Sequence, residues 1–220
     1  MKRVLFFVLL IAVLRTSALA QQSATANEDV QLWPDVTVAI RLSPRVALQF
    51  FGTIRPGDNL TRRVSEQAGV AVNVRLNKYL TLVPSYRAIW SQPEETRHTF
   101  EHRYFVDVIP RLPLGKGFTI LDRNRFERRD IGEQWAWRYR NRPQIERVVK
   151  FHERTLTPYL AGEFFYDSRS QAWIRKQFWA GLRVPINTHL TCDLHYSRNL
   201  DQRARPGHWH VIGMMTRFEF

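Results

Sequence analysis

The residues best placed to do chemistry are a histidine and a serine near the end of the chain. His195 and Ser197 are two positions apart, so on a β-strand both side chains point to one face. A histidine base beside a serine hydroxyl can activate that serine as a nucleophile for acyl transfer. Asp193 shares the face and could orient the imidazole. As an alternative function, this pattern favours an acyl hydrolase.

The pattern has a simpler interpretation as well. The pair resembles the His-x-Ser-Asn arrangement of outer-membrane acyl hydrolases, which implies removal of acyl chains from lipid A or phospholipid. This chain departs from that arrangement because Arg198 separates Ser197 from Asn199. The alternation of the strand also turns His195 and Ser197 inward, whereas a site that acts on lipid should reach the bilayer. The favoured interpretation is therefore that these polar side chains fill the lumen face of a strand. An enzyme is the less favoured interpretation.

A second set of reactive groups is a series of arginines and acids that alternate with apolar residues. Two roles stay open for them. Opposite charges could form a cross-strand ladder of ion pairs, because a buried unpaired charge is costly. Since the arginines outnumber the acids, the same face could instead attract anions into a narrow channel. The predicted set consists of Arg41, Arg55, Arg75, Arg87, Glu101, Arg103, Asp107, Arg123, Arg125, Glu127, Arg138, Arg140, Glu163 and Arg183.

No cofactor or metal is expected. His98 and His102 have helical spacing in a region that predicts strand, and His208 and His210 share a strand face without a carboxylate or cysteine to complete a ligand set. Cys192 is the sole cysteine, so no internal disulfide can form. The net charge of +13 would suit nucleic acid, but a secreted chain would not normally meet it, and no nucleic-acid partner is expected.

The start of the chain predicts export. Lys2 and Arg3 precede the apolar run Val4–Leu14, and Ala18-Leu19-Ala20 is a small-x-small cleavage site. These features are typical of a secretory signal peptide, and the run is too short for a spanning helix. We therefore expect residues 1–20 to be removed.

The elements that must position the charged residues are strands with period-two alternation. Val36, Val38 and Ile40 share one face, and Thr37 and Arg41 share the other. The same alternation recurs in eleven segments, with apolar residues on one face and arginines opposite. A soluble ligand-binding barrel would have to bury the arginines, whereas a membrane barrel turns them to its lumen and its apolar face to lipid. The sequence predicts an all-β, antiparallel, up-and-down transmembrane barrel.

Strand number and boundaries follow less directly. Bacterial single-chain barrels have an even number of strands, so eleven segments imply twelve strands if residues 22–33 add one, or ten if residues 35–42 lie outside the ring. Twelve is favoured. The expected domains are the signal peptide 1–20, a polar segment 21–34 and the barrel 35–220. Longer polar loops are expected at one rim, at 56–62, 91–97, 128–134, 167–172 and 198–207.

The last strand and the loops predict the partners. A terminal strand that places Phe218 and Phe220 on its apolar face is typical of the signal read by the barrel-assembly machinery, which implies the lipid bilayer and the cell outer membrane. Basic residues near the long loops could bind lipopolysaccharide phosphates, chiefly through the two-pronged guanidinium groups of the arginines. The oligomeric state is not predicted. These basic residues are Arg129, Arg169, Arg175, Lys176, Arg198, Arg203 and Arg205.

Three short motifs resemble a known family. They are Leu32-Trp33-Pro34-Asp35-Val36-Thr37-Val38, Asn124-Arg125-Phe126-Glu127-Arg128-Arg129 and Trp137-Arg138-Tyr139-Arg140. Together with the terminal phenylalanine, they resemble the bacterial family DUF2490 over nearly the whole mature chain. The resemblance implies an outer-membrane β-barrel and brings no catalytic or binding residues with it.

Overall fold

The computed structural model describes residues 28–220. The predicted signal peptide lies outside the described residues, and β1 begins inside the polar segment predicted to precede the barrel. Every regular element of the described part is a β-strand, as the alternation predicted. The strands are β1 (Glu28–Arg41), β2 (Val46–Gly57), β3 (Arg62–Arg75), β4 (Leu80–Glu94), β5 (Arg97–Gly115), β6 (Phe118–Ile131), β7 (Gln134–Arg147), β8 (Val149–Phe151), β9 (Arg154–Asp167), β10 (Ala172–Pro185), β11 (Leu190–Asp201) and β12 (His208–Glu219).

Eleven of these strands close into one barrel. Neighbours pair antiparallel from β1 to β7, β7 pairs with β9, and β9 to β12 continue in the same way. The ring closes where β12 pairs with β1, and this pair is parallel, from Glu28 beside His208 to Ala39 beside Glu219. The short strand β8 follows β7 and pairs with the first residues of β9. It lengthens the β7–β9 hairpin and is not part of the ring.

The predicted barrel is confirmed, but its strand count is neither the favoured twelve nor the alternative ten. The prediction required an even number because neighbours that are all antiparallel cannot close an odd ring. Here the ring closes by making one pair parallel, and that ladder runs from residue 28 to residue 39 without a register shift. The eleven alternating segments in the sequence were therefore the right number for the ring.

Alternate residues of each strand point away from the barrel and are apolar. Val36 and Phe178 are 46% and 49% exposed, whereas Gln49 and Gln177 are buried towards the lumen. Apolar side chains that face outward need an apolar surrounding, and this arrangement is the inverse of a soluble barrel. Among residues 28–220, no helix is long and apolar enough to cross a membrane.

The connections at the predicted long-loop rim are shorter than expected. Residues 91–97 and 128–134 were predicted as loops, but the strands leave only 95–96 and 132–133 between them. The charged residues there continue the hydrogen-bonded ladder, because a strand that projects beyond the apolar band of the wall need not be apolar itself. Residues 202–207 form the longest connection at this rim.

One patch of the outer wall departs from the apolar pattern. Asp122 and Asn124 on β6 alternate with lumen-facing arginines, so they point outward, as do Tyr139 and Asn141 on β7. Asn141 Nδ2 donates to Asp122 Oδ1 at 2.6 Å, and Asn124 Nδ2 donates to Asp122 Oδ2 at 3.0 Å. These mutual hydrogen bonds reduce the cost of placing polar groups on an apolar surface.

Candidate functional site: the lumen

The lumen wall formed by β5, β6, β7 and β9 carries a continuous network of ion pairs. Glu127 and Glu163 lie at its centre and are 2% and 0% exposed. Arg140 joins them, with Nη1 3.0 Å from Glu127 Oε1 and Nη2 2.6 Å from Glu163 Oε1. Arg123 donates to Glu163 at 2.6 Å, and Arg125 lies 3.8 Å from Glu127. Each buried carboxylate is therefore shared between arginines from two strands.

The network extends along β5 in both directions. Arg125 donates from Nε and Nη2 to the two oxygens of Asp107, at 2.6 and 2.8 Å, which is the bidentate geometry of a strong pair. Towards the rim, Arg103 and Arg129 both bind Glu101, at 2.7 and 2.8 Å. This wall is thus held by charge pairing rather than by apolar packing.

Two further carboxylates complete the network. Asp167 binds Arg129, Arg138 and Arg169, and Glu146 binds Arg111 and Arg183, at 3.0 and 3.3 Å. The period-two count along β9 from Glu163 reaches Asp167 directly. It was missed because residues 167–172 were read as a loop.

Four of the predicted arginines lie outside the buried ion-pair network. Arg41 lies at the other rim, 3.7 Å from Glu219, and is mostly exposed. Arg75 is exposed at the same rim. Within the described residues, Arg55 and Arg87 line the lumen without a carboxylate within 4.0 Å, and Arg142, which was not predicted, shares this property.

A cavity of about 760 Å³ separates this network from the opposite wall. The opposite wall, from β10 through β12 and β1 to β4, contributes tryptophans, glutamines and serines together with five arginines, namely Arg55, Arg87, Arg175, Arg183 and Arg217. Among the described residues, twelve arginines and five carboxylates line the cavity. Five further carboxylates, just outside this lining, also pair with these arginines, namely Asp107, Glu127, Glu146, Asp167 and Asp201. Arginines therefore exceed acids only slightly, and the lining arginines without a carboxylate within 4.0 Å among residues 28–220 are Arg55, Arg87 and Arg142.

The proposed catalytic pair lies inward, as the alternation predicted, but His195 and Ser197 do not hydrogen-bond to each other. Ser197 is fully buried and its hydroxyl accepts a hydrogen bond from Asn199 Nδ2 at 3.1 Å. His195 Nε2 has no hydrogen-bond partner among the described residues, and its Nδ1 lies 3.6 Å from Asp193 Oδ1. Asp193 instead accepts a hydrogen bond from Tyr159 at 2.7 Å. No base is thus in position to activate the serine.

The basic residues predicted for the long-loop rim divide into two groups. Arg129 and Arg175 point into the lumen, Arg169 binds Asp167, and Arg198 binds Glu28 at 2.7 Å. Lys176, Arg203 and Arg205 are exposed and make no ion pair among the described residues, so they are free to contact a ligand outside the barrel.

Two further predictions concern the terminal strand and metals. Phe218 and Phe220 both point outward, and Phe220 is 66% exposed while its backbone N–H donates to Ala39 O at 2.9 Å. In the described part of the chain, no three His, Cys, Asp or Glu side chains are grouped as metal ligands would be.

An apolar outer wall around a charged lumen defines this protein as a membrane-type β-barrel. The chain belongs to the family described as protein of unknown function DUF2490, whose model matches residues 30–210. Among solved structures it is similar to LpxR from Salmonella typhimurium, with a TM-score of 0.51 and 9% identity over 79% of this chain and 83% of that one. At that identity the likeness shows the fold alone. No curated protein matches the chain.

Proposed function

We propose that this chain resides in the outer membrane and forms a narrow pore that favours anions. The observation that carries the proposal is the set of lumen arginines without a carboxylate within 4.0 Å in the described part of the chain, because rings of arginine suit the passage of anions. Arg55 and Arg87 supply uncompensated charge on the wall opposite the ion-pair network. The network fills the other side of the lumen and makes the passage narrow.

Three features support the location. The outer wall is apolar, the fold resembles that of the outer-membrane protein LpxR, and Phe218 and Phe220 offer the barrel-assembly machinery an apolar terminal strand. With the short turns in the periplasm, the exposed Lys176, Arg203 and Arg205 would lie at the level of lipopolysaccharide phosphates. Lipopolysaccharide is therefore the expected contact at that rim.

The pore is tested by conductance in planar lipid bilayers under a potassium chloride gradient. We expect a reversal potential that shows anion preference, which falls in a variant that combines Arg55→Gln and Arg87→Gln. Arg154→Gln, which removes one positive charge from the exposed start of β9, is the control and should leave selectivity unchanged. The absence of current, or a cation-selective current, would contradict the proposal.

A further inference from the structure

Three tryptophans meet inside the barrel, and they belong to strands on both sides of the seam. Trp33 and Trp209 pack together on β1 and β12, where they are 7% and 6% exposed. Trp179 on β10 completes the group, with its ring 6.1 Å from that of Trp33. Arg175 covers the face of Trp209 at 4.8 Å and is neutralised by Asp201 at 2.5 Å.

The other two tryptophans are covered by arginines that have no carboxylate of the described residues within 4.0 Å. Arg55 lies 3.9 Å above the Trp33 ring, and Arg142 lies 4.5 Å above the Trp179 ring. A guanidinium that stacks by its flat face keeps its N–H groups free in the plane. The hydrogen bond that Arg142 makes goes to the neutral Gln144 oxygen, at 3.3 Å. Both cations therefore keep donors to offer.

Several buried donors of this group have no acceptor. They are Nε of Arg55, Nε of Arg142, Nε1 of Trp179 and Nε1 of Trp209. All four belong to residues that line the same cavity. Buried polar groups in folded proteins are nearly always satisfied. Four N–H groups without an acceptor among the described residues, beside two guanidinium groups without a carboxylate within 4.0 Å, therefore favour a ligand that accepts hydrogen bonds and carries negative charge.

We infer that Trp33, Trp179, Trp209, Arg55 and Arg142 form a binding site for a small oxyanion, a phosphate or carboxylate group, within the lumen. The guanidinium fork matches two oxygens of such a group, and each indole can donate to a further one. Chloride satisfies the charge but offers no separate oxygens to a fork and two indoles. The inference rests on the proposed anion-favouring lumen and names the ligand class that this lumen would hold.

One carboxylate near the site provides a second test. Asp35 lies on the same face of β1, two residues from Trp33, and lines the cavity without an ion pair. Its negative charge opposes an anion in the cavity. We therefore expect Asp35→Asn to tighten binding, in the opposite direction to substitutions of the arginines.

The site is tested by titrating the purified full-length protein in detergent with inorganic phosphate at constant ionic strength. Tryptophan fluorescence and calorimetry should show saturable binding with one site per chain, which equal concentrations of chloride do not reproduce. Arg55→Gln and Arg142→Gln should each weaken binding about tenfold, as expected for the loss of one charge-assisted hydrogen bond. Arg75→Gln, at the exposed rim, makes the same change of charge and should have no effect.

The outcomes separate this site from the pore. If wild-type protein shows no saturable phosphate binding, or if Arg75→Gln weakens it as much as Arg55→Gln, the site is wrong. Phosphate binding in detergent without an anion current in bilayers supports the site and contradicts the pore. An anion current in bilayers without saturable phosphate binding in detergent supports the pore and contradicts the site. Since the wild-type titration decides by itself, a variant that fails to fold does not prevent a result.

Discussion

Glu163 carries the most deeply buried charge of the lumen wall, so removing that charge should destabilise the fold. It is fully buried and binds Arg123 and Arg140 from β6 and β7. Glu163→Gln would leave both arginines charged in the interior, and we expect the free energy of unfolding to fall by about 3–5 kcal/mol. Denaturant unfolding in detergent micelles measures the change.

The control for this substitution is a pair on the outer surface. Glu66 binds Arg63 at 2.6 Å but remains 44% exposed, so Glu66→Gln should cost no more than about 1 kcal/mol. Equal losses in the two variants would mean that the lumen network contributes no more than an exposed ion pair.

Gly213 makes room for the ring of His195. A Cβ atom at this position would overlap His195 Nε2, Cε1 and Cδ2, so we expect Gly213→Ala to lower the free energy of unfolding by about 1–3 kcal/mol. Gly162→Ala is the matched control, because its added methyl would meet only ordinary contacts at 3.5 Å. Combining Gly213→Ala with His195→Ala should recover part of the loss, and a double variant as unstable as the sum of the two would refute the steric explanation.

Ser197 tests the alternative of an acyl hydrolase. Because its hydroxyl is buried and bound to Asn199 rather than to His195, we expect wild-type protein and Ser197→Ala to leave the acyl chains of phospholipid and lipid A equally intact. Mass spectrometry of lipids incubated with each protein measures this. Deacylation by wild type that disappears in the variant would favour the enzyme.

At the residue scale, the sequence predicts which side chains face the lumen but not which of them pair. Arg125 and Asp107 are directly opposite on adjacent strands, so their pairing depends on register. Arg123 and Glu163 lie on strands separated by β7, and their contact also depends on the curvature of the wall. Alternation carries no information on either quantity, which is why Arg55 and Arg87 were grouped with the paired arginines.

At the element scale, the parallel seam between β1 and β12 is the least expected part of the fold and can be tested by cross-linking. After Cys192→Ser, the double variants Leu32→Cys with Ile212→Cys and Val38→Cys with Phe218→Cys each place cysteines at paired positions. Parallel neighbours at these positions are close enough for a disulfide. We therefore expect both variants to cross-link, as seen by altered mobility on non-reducing gels.

A mismatched pair provides the control for the seam. Leu32→Cys with Phe218→Cys places the cysteines near opposite ends of the paired strands, and we expect no bond to form. A cross-link in this variant, with none in the other two, would show that the strands meet antiparallel.

Element ends were predicted less well than element faces. β6 was expected to end in a loop at residue 128, yet it runs to Ile131 with Arg128 and Asp130 pointing outward. A change from apolar to charged residues marks where the outer wall leaves its apolar band, and the backbone ladder continues past that point. Polar composition alone cannot distinguish a strand that rises into water from a loop.

At the scale of the whole molecule, the closed ring predicts resistance to detergent. Because each barrel strand has hydrogen-bonded neighbours on both sides, no edge is open to unzip. We expect unheated protein in sodium dodecyl sulfate to migrate differently from boiled protein, and membrane fractionation to recover it with the outer membrane. A single heat-independent band together with recovery in the soluble periplasm would contradict a membrane barrel.

The parallel seam also decides how the chain could be circularly permuted. In an even-numbered barrel, the first strand begins at the rim where the last strand ends, and a short loop can join them. Here β1 begins beside the start of β12, so a join between the end of β12 and the start of β1 must travel the height of the wall. A linker that spans the height of the wall needs about ten residues in extended form. That is the length of one additional barrel strand. A permutant built on this chain would therefore gain the material for a twelfth strand and the chance to restore antiparallel pairing throughout.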